Sequence, residues 1–166
     1  GILEPPTMKP ILSLSFLLLP FLGAAQVDKV AGNFSHATEC MGVEGDGSQT
    51  VKAYGNGRHR WDAIEQARKN AVRDVIFNGL REGKPECEQR PLVPEVNARQ
   101  KYEKYFNAFF ADDGPYKEFV STEDERLAER VRRDKTRGRE SVSHAFIVRV
   151  LRPQLKEKLI ADGILK

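Results

Sequence analysis

A glycine pair followed by two arginines is the first feature of this sequence whose residue types could bind a ligand. Gly55-Asn56-Gly57 stands between a predicted strand and a predicted helix, and Arg58 and Arg60 follow it. Glycine-rich loops at helix N-termini can cradle phosphate on backbone N–H groups. The pattern lacks the third glycine of a dinucleotide-binding fingerprint and the Lys-Ser/Thr pair of a P-loop, and tight turns need glycine anyway. It favours a structural role, with anion binding by Arg58 and Arg60 as the alternative.

The densest positive charge lies nearer the C-terminus. Its basic residues are Arg126, Arg130, Arg132, Arg133, Lys135, Arg137 and Arg139. On a strand, the arginines at positions 130, 132 and 133 could bind a polyanion such as lipid phosphate, glycan or nucleic acid. Three carboxylates interrupt the run and weaken its field: Glu129, Asp134 and Glu140. We therefore favour a charged edge strand that resists pairing with other sheets.

The remaining polar residues indicate neither a catalytic nor a metal site. The three histidines lack metal-ligand spacing, and no serine lies in a Gly-x-Ser-x-Gly elbow. Asp112-Asp113-Gly114 lacks the ligand spacing of an EF-hand loop and is typical of a solvated turn. Many carboxylate pairs could be proposed for hydrolysis, so the pattern singles out none of them. We predict no catalytic residue, no metal and no cofactor.

Residues 8–25 have the features of a cleavable signal peptide. Met8 is followed by a lysine, an uncharged apolar run over residues 11–22 and small residues at 23–25. The run is shorter than the about 20 residues of a membrane span, and a proline interrupts it. We expect residues 1–7 to be a misassigned or non-native start, and cleavage to follow residue 25.

Export determines how the two cysteines, Cys40 and Cys87, are interpreted. An oxidising compartment permits a disulfide between them, which would add about 3–4 kcal/mol on the chain-entropy model. Two unpaired thiols are the alternative. No cysteine follows the expected cleavage site, so no lipid anchor is predicted. The net charge of +3 is too small to indicate nucleic-acid binding by itself.

The N-terminal half of the mature chain contains a strand and a long helix. An irregular lead-in over residues 26–47 allows for one short strand, and the α/β domain covers residues 48–166. Ser48–Tyr54 alternates like a strand that ends at the glycine pair. A helix over residues 61–80 begins at a capping box of Asp62 and Glu65. The positions expected on its solvated face are Arg68, Lys69, Arg73 and Asp74.

A second helix, over residues 95–111, has one aromatic face. Its members are Tyr102, Tyr105, Phe106, Phe109 and Phe110, at i, i+3, i+4, i+7 and i+8. Such a stripe usually packs in a core. A partner interface formed by Tyr102, Tyr105 and Phe109 is the alternative.

The C-terminal part predicts two strands and a helix. One strand lies within residues 116–135 and a clearer one spans 141–152, with a hairpin turn at 136–139. Pro153 stands at the first turn of the last helix. The fold class is therefore α+β: a single small domain with an antiparallel or mixed sheet of about three to four strands, packed by three helices.

Three segments resemble a family of small uncharacterised proteins exported by diderm bacteria. They read TVKAYGNGRHRWDAIEQARKNAVRDV, PLVPEVNARQKYEKYFNAFF and VRVLRPQLKEKLIADGI. That family has no assigned activity and transfers no catalytic residue. The chain is also similar, more distantly, to the N-terminal domain of flagellar assembly protein T and related outer-membrane lipoproteins. The insert at residues 82–115 and the missing anchor cysteine depart from that plan. The similarity implies a small scaffold used in envelope assembly.

Together these features predict an exported, non-catalytic accessory or assembly protein of the bacterial cell envelope. We expect it in the periplasm, at the outer membrane or secreted, in contact with another envelope protein and without nucleic acid. The alternative is a periplasmic or secreted binder of a small ligand or polyanion, through Arg58, Arg60 and the arginines at 130–133. An unrecognised hydrolase is the second alternative.

Overall fold

The computed structural model describes residues 1–3, 37–136 and 139–166, and their side chains except those from 130 to 141. Its residues from 37 onward belong to one compact unit. The predicted signal peptide at residues 8–25 and the central residues of the predicted hairpin turn, 137 and 138, lie outside the described residues.

The described chain forms one five-stranded mixed sheet. Its strands are β1 (Glu39–Val43), β2 (Gln49–Gly57), β3 (Glu82–Gly83), β4 (Val120–Thr136) and β5 (Arg139–Val150). They lie in the order β3-β1-β2-β5-β4. The β1–β3 pair is parallel, and the other three pairs are antiparallel. The strand β1 lies inside the segment predicted as a lead-in.

Four α-helices and two short helices of other types accompany the sheet in the described residues. The α-helices are α1 (Arg60–Arg73), α2 (Ala98–Lys101), α3 (Glu103–Phe109) and α4 (Arg152–Ala161). A π-helix, Asp74–Asn78, continues α1, and a 3₁₀-helix, Pro115–Phe119, precedes β4. The α+β class is confirmed, but the described strands and helices exceed the three to four strands and three helices that we expected. The predicted second helix is broken at Tyr102, whose backbone (φ −113°, ψ 33°) is not helical.

The glycine pair is not a turn but part of β2. The strand continues through Gly57 because it passes directly beneath α1. A Cβ on Gly55 would lie 2.0 Å from the Ala63 carbonyl oxygen, and one on Gly57 would lie 2.3 Å from the Asp62 Cβ. The turn that we predicted for these glycines is therefore wrong, and their role is instead close packing of a strand against a helix.

The start of α1 also differs from the prediction. His59 is the N-cap residue, and its backbone N–H donates to Asp62 Oδ2 at 3.2 Å. The predicted capping box of Asp62 and Glu65 is therefore shifted by one turn. Glu65 instead accepts hydrogen bonds from Arg68 and from the Tyr116 hydroxyl, the latter at 2.7 Å.

The core lies between the helices and one face of the central strands. Val51 and Ala53 of β2 and Phe146 and Val148 of β5 belong to it. The helices contribute Ala63, Ala67, Ala71, Phe106, Phe109, Leu155 and Leu159. Alanines along the buried face of α1 let its backbone lie close to the sheet.

Cys40 and Cys87 form a disulfide, with their Cα atoms 6.3 Å apart. It joins β1 to the proline-rich loop after β3. Lys84 N–H donates to the Cys40 carbonyl at 2.8 Å, so the loop begins against β1. Farther along, the N–H groups of Leu92 and Val93 donate to the π-helix carbonyls of Val75 and Ile76 at 3.0 and 2.8 Å. The loop is thus held at both of its ends.

Candidate functional site

The sheet register brings the predicted arginines to one end of the molecule. Gly57, at the end of β2, pairs with Val142 of β5, which pairs with Arg133 of β4. Neighbouring strands are about 4.8 Å apart, so the backbones of Gly57 and Arg133 are separated by roughly 10 Å. Arg58 follows Gly57, and Arg130 pairs with His144 opposite Gly55. Two sequence segments more than seventy residues apart therefore meet.

The hairpin of β4 and β5 extends beyond β2 at this end. Its last described pair, Thr136 with Arg139, lies three residues past the Val142 pair. At about 3.4 Å per residue, the hairpin extends roughly 10 Å farther than its neighbour. Residues 129–140 carry six Lys and Arg against three Asp and Glu. We call residues 58–61 together with hairpin residues 130–136 and 139–142 the basic end.

The basic end includes one exposed large apolar side chain that the structure describes, that of Trp61. It lies in the first turn of α1 and is 66% exposed, and the neighbouring Arg58, His59 and Arg60 are also exposed. The Arg68 guanidinium lies 5.9 Å from its ring. Trp61 was not singled out from the sequence, because the residue stands at the expected start of a helix and fits its apolar pattern. An exposed tryptophan among arginines was the signal that could have identified it.

A charged network holds the hairpin against α1. Arg68 donates through Nε and Nη2 to the two carboxylate oxygens of Glu125, at 2.7 and 2.9 Å. It also pairs with Glu65, which accepts from Tyr116. Burial, and then the Glu65 carboxylate, raise the pKa of Tyr116. Arg68 was predicted on the solvated face, but its side chain is only 12% exposed.

The aromatic face of the second predicted helix packs mainly in the core. Phe109 is 2% exposed and stacks with Tyr105 and Phe119, so it packs in the core, the interpretation that we favoured over a partner contact. Tyr102 and Tyr105 are partly buried against the core. The Tyr105 hydroxyl donates to Asp162 Oδ2 at 2.6 Å. Burial and the Asp162 carboxylate raise the pKa of Tyr105.

A pocket of about 580 Å³ lies between the end of α1 and helices α2 and α3. Its lining residues are Arg73, Arg99, Gln100, Glu103, Phe106, Asn107 and Phe110. Arg73 was predicted on a solvated face, but it is partly buried here and its guanidinium lies 5.2 Å from the Phe110 ring. Burial, and then the charge of Arg99, lower the pKa of Arg73. Sequence reasoning missed this pocket because its polar residues come from three helical segments.

No family model, curated protein or solved structure matches this chain. The functional conclusion therefore depends on the geometry of the two sites. The resemblances drawn from the sequence stay predictions.

Neither site has the groups of a metal centre. Within residues 1–3, 37–136 and 139–166, no group of three or more His, Cys, Asp and Glu is arranged to hold a metal ion. Among the described residues that line the pocket, Glu103 supplies the one carboxylate, beside two guanidiniums and two amides. These are groups that bind a ligand through charge and hydrogen bonds.

In the part of the chain that the structure describes, no helix has the length and apolar character needed to cross a bilayer. The described cysteines are both in the disulfide. A stable disulfide is compatible with an exported protein, since such bonds persist mainly in oxidising compartments.

Proposed function

We propose that this protein is an exported, non-catalytic accessory protein of the bacterial cell envelope, which binds another envelope protein through its basic end. The observation that carries the proposal is the register of β2, β5 and β4. It sets the exposed Trp61 beside a projecting, arginine-rich hairpin. The proposed location is the periplasm or the outer membrane, with secretion as the alternative.

The composition of the basic end favours a protein partner over a polyanion. Tryptophan and arginine are the side chains most enriched among residues that dominate protein–protein binding. Carboxylates alternate with the arginines along the hairpin, and Asp62 lies one residue after Trp61. These negative charges would oppose a uniformly anionic polymer, but they can pair with a protein surface of mixed and mainly acidic character.

An ion pair joins β4 to the helix that carries Trp61. This pair of Arg68 with Glu125 fixes the base of the hairpin against α1. A surface that is already ordered loses less conformational entropy on binding. The disulfide supports export, and the similarity to the flagellar assembly domain favours a scaffold that works in envelope assembly.

The test begins with affinity purification of the tagged mature protein from its native envelope, followed by mass spectrometry. The candidate partner is then purified, and its affinity for the wild type is compared with that for Trp61→Ala. If Trp61 anchors the interface, its replacement by alanine should weaken the binding free energy by about 2 kcal/mol, which is roughly a 30-fold loss of affinity. Val96→Ala is the matched control, because Val96 is 94% exposed and lies on the loop before α2.

Two outcomes would overturn the proposal. One is a partner whose affinity is unchanged by Trp61→Ala and by charge reversal at Arg58 and Arg60. The other is tight binding to anionic lipid vesicles or anionic glycan that falls steeply with salt and is lost on charge reversal at Arg132 and Arg133. That second result would establish the polyanion-binding alternative.

A further inference from the structure

We propose that the pocket between α1, α2 and α3 binds a small organic oxyanion. Its carboxylate or phosphate would lie between Arg73 and Arg99, and its apolar or planar part would pack against Phe106 and Phe110. This site is separate from the basic end and needs no protein partner.

The two arginines bring positive charge to the pocket, and the nearby Asp74 carboxylate offsets only part of it at Arg73. Arg73 Nη1 donates to the neutral amide oxygen of Asn70 at 3.1 Å, and its Nε is buried without a hydrogen-bond partner. Arg99 lies with its guanidinium 5.6 Å from the Phe77 ring. Within the described residues, neither guanidinium has a carboxylate at ion-pair distance. Asp74, beside Arg73, instead accepts hydrogen bonds from Thr38 and Asn78.

Such an arrangement is electrostatically costly until an anion enters. Burial lowers the pKa of Arg73, and the nearby positive charge of Arg99 lowers it further. A bound oxyanion would pair with both guanidiniums and remove that repulsion. Arginine suits this role because its planar fork matches carboxylate and phosphate oxygens in pairs.

The rest of the lining constrains the ligand. A pocket of about 580 Å³ accommodates a small organic molecule. The rings of Phe106 and Phe110 offer an apolar wall, and the amides of Gln100 and Asn107 can donate or accept hydrogen bonds. Glu103 would weaken the binding of a highly charged anion, and a hydroxyl or amine on the ligand that donates to this carboxylate should strengthen binding further.

The local backbone indicates a built site. The helix widens into a π-helix at Asp74, directly after Arg73, and π-helical turns are frequent at functional sites. The π-helix includes Phe77, whose ring contacts Arg99 and lies 4.7 Å from the Phe106 ring. The irregular turn therefore follows Arg73 directly and contacts Arg99 and the Phe106 ring through Phe77.

The pocket and the basic end can be tested independently. Arg73 ends α1, whereas Arg60 begins it. A helix of this length separates the two residues by roughly 20 Å. A small molecule cannot contact both.

The experiment is a calorimetric titration of the mature, disulfide-bonded protein with benzoate, phenyl phosphate, inorganic phosphate and uncharged benzamide. We expect benzoate or phenyl phosphate to bind at least about 10-fold more tightly than benzamide. Comparing the affinity for phenyl phosphate with the affinity for benzoate shows whether the pocket prefers a phosphate or a carboxylate. Inorganic phosphate alone should bind more weakly than phenyl phosphate, because it cannot contact the phenylalanine rings.

Arg73→Gln and Arg99→Gln should each weaken anion binding by about 10-fold or more, whereas Arg81→Gln, an exposed arginine on the loop after the π-helix, should not. Arg99 is exposed, so its variant keeps the test valid if Arg73→Gln fails to fold. The proposal is overturned if none of the anions binds when it is present at about 10 mM, because a Kd of about 1 mM would be detected at that concentration. It is also overturned if Arg99→Gln and wild type bind equally, or if benzamide binds as well as benzoate.

Discussion

Arg68 of α1 and Glu125 of β4 form a two-point ion pair between residues 57 positions apart in the chain. Both side chains are largely buried, at 12% and 15% exposure. Paired guanidinium and carboxylate groups with two parallel hydrogen bonds are stronger than single contacts. This pair joins the edge strand to the helix that carries Trp61.

Replacing Glu125 with glutamine should lower the free energy of unfolding by about 1–3 kcal/mol, because the largely buried Arg68 guanidinium loses one of its two carboxylate partners and keeps only Glu65. Urea denaturation measures the loss, and hydrogen exchange of β4 amides locates it. Glu118→Gln, an exposed change on the 3₁₀-helix, should stay within about 0.5 kcal/mol. Equal stability of the two variants would show that the pair contributes nothing.

Gly55→Ala should destabilise the protein by about 3 kcal/mol or more, or prevent folding, because overpacking against rigid backbone is costly. The new methyl group would meet Ala63 and Ala67 backbone atoms of α1. Gly42→Ala is the matched strand control, since nothing lies within 4 Å of its Cβ position. Thermal melting should show a lower melting temperature for Gly55→Ala than for Gly42→Ala. A folded Gly55→Ala variant with wild-type stability would contradict the packing of β2 beneath α1.

Stability should fall at alkaline pH. Burial and neighbouring carboxylates raise the pKa of Tyr105 and of Tyr116 above the ordinary value. Above a pH of about 10 the unfolded chain releases these protons before the folded chain does, so the free energy of unfolding decreases with pH. Below that pH both hydroxyls are protonated in both states and the contribution is fully present.

Denaturant titrations below and above this pH should detect the decrease in the free energy of unfolding. Tyrosinate absorbance should show the pH at which the tyrosine hydroxyls lose their protons. Tyr116→Phe should flatten the alkaline decrease, whereas Tyr102→Phe, whose ring contacts Lys101, should leave it in place. A wild-type stability that is independent of pH in this window would rule out the raised pKa values.

Removing the disulfide should lower the free energy of unfolding by about 2–4 kcal/mol, because the crosslink spans 47 residues of the unfolded chain. The Cys40→Ala, Cys87→Ala double variant and the reduced wild type should show the same loss. Reductant should not change the double variant. A wild type that is equally stable with and without reductant would show that the crosslink contributes no stability.

The regular elements were predictable because their signals are local. Alternation along β5 and the alanine stripe of α1 each lie within one segment. β5 forms close to the expected bounds, whereas the helix predicted over 61–80 is α-helical only to Arg73 and continues as a π-helix to Asn78. The strands β1 and β3 lack such a signal. They are five and two residues long, and their pairing depends on partners that only the fold supplies.

The candidate sites were predictable only in part. The arginines of the basic end were identified by residue type, but their meeting with Trp61 depends on a register across three strands. The pocket was missed because Arg73 and Arg99 look like ordinary solvated positions when each helix is considered alone. The break at Tyr102, which separates α2 from α3, also falls within an unbroken aromatic repeat.

The central strand pair has a consequence for how the protein is made. Gln49 pairs with Val150 and Gly57 with Val142, so the middle of the sheet joins segments roughly a hundred residues apart. This pair can close only after β5 has been synthesised, because β5 supplies one of its two strands. Until then the alanine face of α1 lacks the β5 side chains against which it packs. For a protein exported as we propose, a sheet that closes only after β5 is made would leave the earlier segments free to pass a translocation pore unfolded.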